Sequence, residues 1–439
     1  MSSPILSHIA ETEPSRLNIL LQESVDLAIV GCGVSGAAAA ISAVKNGISV
    51  AVLEDHKTVG EPSHCSGHVG ILAFKHFAPS IPREIIENEV KGAVLYAPNG
   101  KSLTLFRDEP VTWVLNRAEF DRHLASIATK SGVRLHLESP VDGFRRSDNG
   151  RIRLRIRGSD QREISCRMVI DAAGVGGSIS RCAGLPQPNS RLLVNSAQFY
   201  AEDLNGVNEN FVEVYFGQQY APGFFGWIIP RRDGSAKIGI AARSRTNVRQ
   251  CLERFIKKHP IVSGKLRRTR FLTAPMFHPI PISGAKARTY AEGILTVGDA
   301  ASQVKPTTGG GIVFGLACGQ IAGETAARAA LKGDTSSAQL SGYEKAWRQL
   351  IGFDLHAMTW LRRLLYRLSD EQFDRIFRIA HQLEAEEILN RAADIDFQGK
   401  TMLSLARDPR FFITILSASV LSFPSLLLTS SDQYGEFRD

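Results

Sequence analysis

Gly31-Cys32-Gly33-Val34-Ser35-Gly36 follows the apolar run Leu27-Ala28-Ile29-Val30 and opens a stretch of small residues that ends at Asn46-Gly47. A second apolar run, Ile48 to Leu53, comes next and stops at Glu54. Strand, glycine turn, helix, strand and acid in this order form the dinucleotide fingerprint, which restricts the chain to an α/β sheet of the nucleotide-binding kind. The spacing has a chemical reason. Gly31 makes the turn, Gly33 admits a pyrophosphate to the backbone, and Gly36 lets helix and strand pack closely. Unpaired amides at the helix start, and its dipole, favour an anion there. Glu54 is placed to accept hydrogen bonds from a ribose diol and to repel a 2′-phosphate. The ligand expected from this segment is FAD or NAD.

A second glycine-rich segment decides between them. Gly293 to Val297 reads as a short buried strand that Gly298-Asp299 ends. Lys305-Pro306-Thr307-Thr308-Gly309-Gly310-Gly311-Ile312 then leads into an apolar run, without proline, to Leu331. Glycines at a helix start let the backbone approach a flat ligand and aim free N–H groups at it. Asp299 is expected to bond ribityl or pyrophosphate-side hydroxyls. Gly309, Gly310, Gly311 and Ile312 are expected at the pyrimidine edge of a flavin. Two distant contacts suit an extended, two-ended cofactor, which selects FAD.

The rest of the chain sorts around these motifs. Asn116 with Glu119 three residues on predicts a helix start, and Phe120, Leu124, Ile127 and Ala128 recur at helical spacing. Cys166 to Asp171 predicts a further strand of the nucleotide sheet. Between Ser190 and Arg288, alternating runs such as Phe211–Phe216 and Ala236–Ala241 predict an antiparallel sheet forming one wall of a substrate cavity. Past Leu331 the pattern is helical to about Leu405, with Trp347, Trp360, Leu361, Leu364 and Leu365 on apolar faces. The division expected is an extension over 1–24, a cofactor domain over 25–189 and 289–331, a substrate domain over 190–288, and a helical region over 332–439. Residues 411–429 are nearly uncharged and read as a membrane span, an interfacial helix pair or core packing; Pro424 and four serines weigh against a span.

The chain of 439 residues carries a net charge of +8, which suits an anionic ligand or an anionic membrane surface. Nucleic acid is not expected, because no basic stretch is interleaved with stacking aromatics. The most basic run, Arg151 to Arg157, alternates strictly and predicts a half-buried strand with a solvated arginine face. The six cysteines show no CxxC spacing, so no metal or iron–sulfur site is expected. With no signal peptide apparent, reduced thiols in the cytoplasm are the default, with peripheral contact at the inner face of the membrane as an open alternative.

Val59-Gly60-Glu61-Pro62-Ser63-His64-Cys65-Ser66-Gly67 resembles the Gly-x-Pro-x-x-Cys-x-Gly loop of geranylgeranyl reductase-type flavoproteins, especially their archaeal branch. Val304 to Ile312, Asn116-Arg117-x-x-Phe120-Asp121-x-x-Leu124 and Pro222 to Pro230 are similar to further segments of that family. The resemblance runs from about residue 25 to 330. It implies a fold of the para-hydroxybenzoate hydroxylase type, and reduced FAD that saturates isolated double bonds of prenyl chains on membrane lipids or their precursors. It also implies an external electron donor, ferredoxin or NAD(P)H. Three motifs depart from the family, at four positions. Phe225 and Ile229 stand in Phe225-x-Trp227-x-Ile229-Pro230 where Tyr-x-Trp-x-Phe-Pro is usual. Ala173 replaces an aspartate, and Ser302 a glycine.

Three catalytic residues are expected. Cys65 would serve as proton donor or redox partner beside the flavin, the alternative being a small buried hydrophobe. Phe225 and Trp227 would line the cavity and face developing positive charge with their rings, the alternative for Trp227 being core packing. Arg117 would bring charge to the pyrophosphate region, the alternative being a solvated helix-start arginine. His64 and His68 are read as surface or loop-packing residues. The Phe-x-Trp-x-Ile-Pro motif is also similar to that of flavin-dependent halogenases, so an FAD monooxygenase or halogenase acting on a hydrophobic substrate is the second function class.

Overall fold

The computed structural model describes residues 23–157, 163–392, 396–405 and 408–410. Residues 1–22 of the terminal extension and the 411–429 segment singled out above lie outside the described residues, and the last two residues of the expected extension, Glu23 and Ser24, belong instead to the first strand. Among those described, no helix is long and apolar enough to cross a membrane.

Glu23–Val30 is the central strand of the first sheet, parallel to Glu163–Asp171 on one side and to Val50–Leu53 on the other. Ile294–Thr296 and Arg134–His136 continue the parallel sheet outward at each edge. The hairpin Val141–Arg146/Ile152–Ile156 adds antiparallel strands to Glu163–Asp171. In it, Ile152, Leu154 and Ile156 are buried and the intervening arginines are not, as the alternation predicts. The register puts Val30 level with Leu53 and Asp171. The strands therefore end together, where the neighbour on either side of the central strand is reached by a different crossover, the usual place for a ligand in such sheets.

Helix Val34–Lys45 starts at the glycine turn and is rich in alanine. Its partner is the long helix Ile312–Lys332. Gly315, Gly319 and Gly323 fall one turn apart and face the first helix: a Cβ at Gly319 would stand 2.4 Å from the Ser35 carbonyl oxygen, and one at Gly323 2.3 Å from that of Ala39. The two backbones approach closely because neither carries bulk between them. Asn116 caps Arg117–Lys130 by accepting the Glu119 amide, as its sequence predicts.

The second sheet runs in the order Arg270–Phe271, Leu193–Glu202, Ala236–Arg243, Phe225–Pro230, Phe211–Phe216, Gly92–Tyr96 and Ser102–Phe106, with Met276–Pro281 also pairing to Leu193–Glu202. It corrects the expectation of a sheet confined to 190–288. Two of its strands come from residues 92–106, and Gly92–Tyr96 joins Phe211–Phe216 in parallel. Alternation predicts one wet face for Ala236–Arg243, yet its first seven residues are buried on both faces. A third sheet, His68–Gly70, Thr112–Leu115 and Ile86–Val90, bridges the other two.

Helices beyond Leu331 close the molecule. Trp347 and Tyr343 are fully buried and bond Thr289 and the Thr296 carbonyl. Trp360 departs from the expected apolar face and is 50% exposed. The free edge of Ser102–Phe106 is covered by helix Ala385–Ala392. Glu386 accepts the Thr104 amide (3.0 Å) and Asn390 the Phe106 amide (2.9 Å). This is one way a sheet edge is kept from pairing elsewhere.

Candidate cofactor and substrate site

One cavity of about 1310 Å³ begins at the fingerprint turn, passes the Cys65 loop and Gly309–Gly311, and ends among Phe216, Phe225, Leu361 and Met402. That exceeds the ~300–1,000 Å³ typical of a single small-molecule pocket. Its lining is mostly apolar where the helical region meets the second sheet.

At the first end the backbone does the shaping. Gly31 has φ +99°, and a Cβ there would lie 2.5 Å from the Ala172 carbonyl oxygen. A Cβ on Gly36 would lie 2.0 Å from the Gly31 carbonyl oxygen. Gly33 differs: nothing stands within 4 Å of its missing side chain, and it faces the cavity. That open cradle, at a helix start whose first amides have no intrahelical partner, fits a pyrophosphate. Glu54 lies beside it. One carboxylate oxygen accepts the Cys32 amide (2.7 Å), and the other the His56 amide (3.1 Å) and faces His56 Nδ1 (2.6 Å). Burial first, then Asp55, pushes the Glu54 carboxyl above its usual range. Burial opposes a charged His56, yet Glu54 and Asp55 together raise its pKa. Cys32 is an inert thiol, pushed up to about 12 by burial and by Glu54 and Asp121.

At the second glycine segment, Gly298–Ala301 forms a short 3-10 turn and Ser302 adopts a left-handed conformation (φ 55°). Asp299 lines the cavity, its Oδ1 next to Gly311 and its Oδ2 4.0 Å from His278 Nε2. Gly309 borders Ile280 and Phe224, and Gly310 borders the Lys305 side chain. Gly309, Gly310, Gly311 and Ile312 all face the cavity at the start of the long helix. A flat ring system fits against this bare backbone.

Between the two lies the Cys65 loop. Gly67 takes φ +72° and packs on the Leu115 carbonyl, which a Cβ would approach to 2.2 Å. Lys237, 0% exposed, holds the loop from beneath: Nζ donates to the Ser66 and Leu115 carbonyls (2.9 and 2.8 Å) and pairs with Glu87 (2.7 Å). Burial lowers the Lys237 pKa, and Glu87 opposes that shift. Arg117 lies beside Cys65 and pairs with Asp121 (2.9 Å). Burial works against its charge, but Asp121 and the Cys65 sulfur more than offset this. Arg117 is therefore not the solvated arginine of the alternative reading. The Cys65 sulfur thus sits half-buried, with the Arg117 and Lys237 cations close by.

Two histidines read from sequence as loop-packing residues line the same cavity. The His64 ring stacks on His278 (centroids 3.6 Å apart), and His68 Nε2 bonds Thr112 Oγ1 (2.8 Å). Burial brings His64 and His68 each down to about 4; His278 adds to the effect on His64, and Lys305 to that on His68. Lys305 pairs with Asp396 (2.7 Å), whose other oxygen accepts the Gly70 amide (2.9 Å).

Phe225 and Trp227 face the cavity from one strand. The Trp227 indole donates to Gln198 (3.1 Å), and its ring occupies the place of a side chain at Gly239. Trp227 therefore both lines the cavity and packs. Phe225 stacks on Phe224 (4.3 Å). Of the residues singled out from sequence, Gly31, Gly33, Glu54, Cys65, Arg117, Phe225, Trp227, Asp299, Gly309, Gly310, Gly311 and Ile312 meet in this cavity, and Gly36 stands behind its wall. Lys237, His56 and Asp396 went unread. The only trace of Lys237 is a lysine near the start of an otherwise apolar run, Ala236 to Ala242.

Residues 24–351 match the model of a family described as an FAD binding domain. The chain is 31% identical to a digeranylgeranylglycerophospholipid reductase of Methanocaldococcus jannaschii, with 81% of this chain and 90% of that one covered. It is also 31% identical to the digeranylgeranylglycerophospholipid reductase of Methanothrix thermoacetophila, with 88% and 97% covered. Its fold is similar to the crystal structure of a geranylgeranyl bacteriochlorophyll reductase-like protein from Thermoplasma acidophilum, with TM-score 0.79, 25% identity, and 91% of this chain and 100% of that one covered.

Proposed function

The chain belongs to the FAD-binding family that includes the digeranylgeranylglycerophospholipid reductases, and from that premise we propose that it saturates isolated double bonds of geranylgeranyl chains on a glycerophospholipid or its precursor. The observation that carries this reading is the continuity of the cavity: a nucleotide cradle, a cysteine set among cations and a long apolar chamber form one space. The curated relatives are reductases, and nothing in the site favours the monooxygenase or halogenase reading over them.

Gly31 and Gly33 with the first helix start would hold the pyrophosphate, Glu54 the ribose, Asp299 the ribityl side, and Gly309–Ile312 the ring edge. FAD, when bound and reduced, supplies the hydride that one alkene carbon takes up. The other carbon needs a proton, and the Cys65 thiol is placed to give it. The sulfur anion left behind is held by Arg117, with Lys237 beneath, until solvent returns a proton. Phe225 and Trp227 keep water out and turn their rings toward the positive charge that develops on protonation. Phe224, Leu361, Leu365 and Met402 would hold the rest of the chain.

The reductant is external, a small electron carrier such as ferredoxin or NAD(P)H. Phe106 and Val111 line the cavity yet are 43% and 39% exposed, and Leu72, next to the Ile71 amide that bonds the Val111 carbonyl, is 85% exposed. This apolar rim supports entry of the chain from a bilayer that the protein touches peripherally, from the cytoplasmic side. The direct test is anaerobic incubation of dithionite-reduced protein with a geranylgeranylated glycerophospholipid. Mass spectrometry should read two added hydrogens per double bond. Product that forms only in air would overturn the reading.

A further inference from the structure

Lys91 and Arg107 stand side by side where the edge of the second sheet meets the apolar rim. The Arg107 amide donates to the Lys91 carbonyl (3.0 Å), extending the pairing in which Gly92 faces Phe106 and Ala93 faces Leu105. Side chains alternate along a strand, so Lys91 shares a face with Ala93 and Leu95, and Arg107 with Leu105. All five line the cavity.

Both cations are half buried. Among the described residues, neither side chain forms an ion pair or a hydrogen bond. The cations deeper in the cavity are different: Arg117 holds Asp121, and Lys305 holds Asp396. Like charges on directly paired positions repel, and partial burial removes the water that would screen them. Such a pair calls for an anion. A phosphate matches it best, because it offers up to two charges and several acceptor oxygens to an arginine fork and an ammonium together.

We propose that Lys91 and Arg107 form the seat of a phosphate group at the head of the prenyl chain. This rests on the reading of the substrate as a prenylated lipid. Four residues of extended strand carry the wall about 13 Å from Lys91 to Leu95. Leu95 lies level with Val214, and Val214 with Trp227. The head group is thereby pinned at the rim while the chain crosses Ala93, Leu105 and Leu95 toward the aromatic pair. The seat selects phosphorylated prenyl chains over neutral ones.

The test is equilibrium binding to oxidised, FAD-loaded protein, read by the change in flavin or tryptophan fluorescence. Geranylgeranyl glycerophospholipid, geranylgeranyl diphosphate and neutral geranylgeraniol are compared on the wild type, on Lys91→Gln/Arg107→Gln, and on the charge-preserving Lys91→Arg/Arg107→Lys. The wild type should prefer a phosphorylated ligand at least about tenfold, less so at high salt. The Gln variant should fall to within about twofold, and the charge-preserving one should keep most of the preference. The phosphorylated ligand whose preference is lost is the one the seat takes. A preference unchanged for both in a Gln variant with normal flavin content and circular dichroism would overturn the proposal. The two readings fail separately. If the preference depends on the pair but reduced enzyme leaves the lipid mass unchanged, the reaction is wrong and the seat stands. If the lipid is reduced and the preference survives the variant, the seat is wrong.

Discussion

The two ends of the cavity are made of different material. The nucleotide end comes mostly from one run of chain, Val30 to Glu54, joined by Ala172, and its walls are backbone: carbonyls of Gly31 and Ala172 lie within 2.5 Å of where side chains would be. The chamber end draws on Gly92–Tyr96, Phe211–Phe216, Phe225–Pro230 and helices as distant as Gln398–Leu405, and its walls are side chains. A backbone-walled site tolerates almost no change and is written locally. A side-chain-walled site is assembled late, from far apart, and changes by degrees. Substitutions at each end should expose that contrast.

The largest effect should come from Gly36→Val. Its Cβ would collide with the Gly31 carbonyl, so a loss of about 3 kcal/mol or more is expected, with colourless protein. Gly33→Val is the sharper probe, since its side chain meets nothing but the cavity. It should fold with a wild-type Tm and carry no flavin absorbance. A Gly33→Val protein that binds FAD normally breaks the idea that Gly33 cradles the pyrophosphate.

Lys237→Met should come next, at about 3 kcal/mol in chemical denaturation, because Glu87 loses one of its two cations while staying buried. A smaller loss would mean that Arg231 alone suffices. Cys65→Ala should keep its flavin and slow alkene reduction on the order of 10²-fold, measured in anaerobic single turnovers. Undiminished turnover removes the thiol from the reaction.

Acid should also separate the two regions. His64 and His68, brought from 6.5 to about 4 by burial, bind fewer protons folded than unfolded between those values. Their contribution is therefore present above about pH 6.5 and lost as pH falls toward 4. Denaturation midpoints taken across this window should fall with pH, and His64→Gln should flatten part of the slope. The smallest effect belongs to Trp227→Phe, which gives up the bond to Gln198 and part of the packing on Gly239, about 1 kcal/mol. Reduction rates should change only a few-fold, with chain-length preference the more sensitive reading.

The same contrast explains what the amino acids disclosed. The glycine turns, the strand ends at Glu54 and Asp299, and the Asn116 cap depend on neighbours within a few residues, and all are legible in order along the chain. Lys237 is illegible for the opposite reason. Alternation sends it to solvent, and only the Cys65 loop and the third sheet, which supply the Ser66 and Leu115 carbonyls, cover it. The strands at 92–106 look like part of the nucleotide domain because sequence position says nothing about which sheet edge is free. His64 stacks on His278, more than 200 positions away along the chain, a contact no local pattern encodes.

The stripe of Gly315, Gly319 and Gly323 carries a thermodynamic consequence. With the two helices seated backbone to backbone, the nucleotide turn and the triple-glycine turn belong to one rigid body, at a separation set during folding. Little configurational freedom of the protein is left to surrender when an elongated ligand bridges them, so less of each contact's strength is lost to ordering the site.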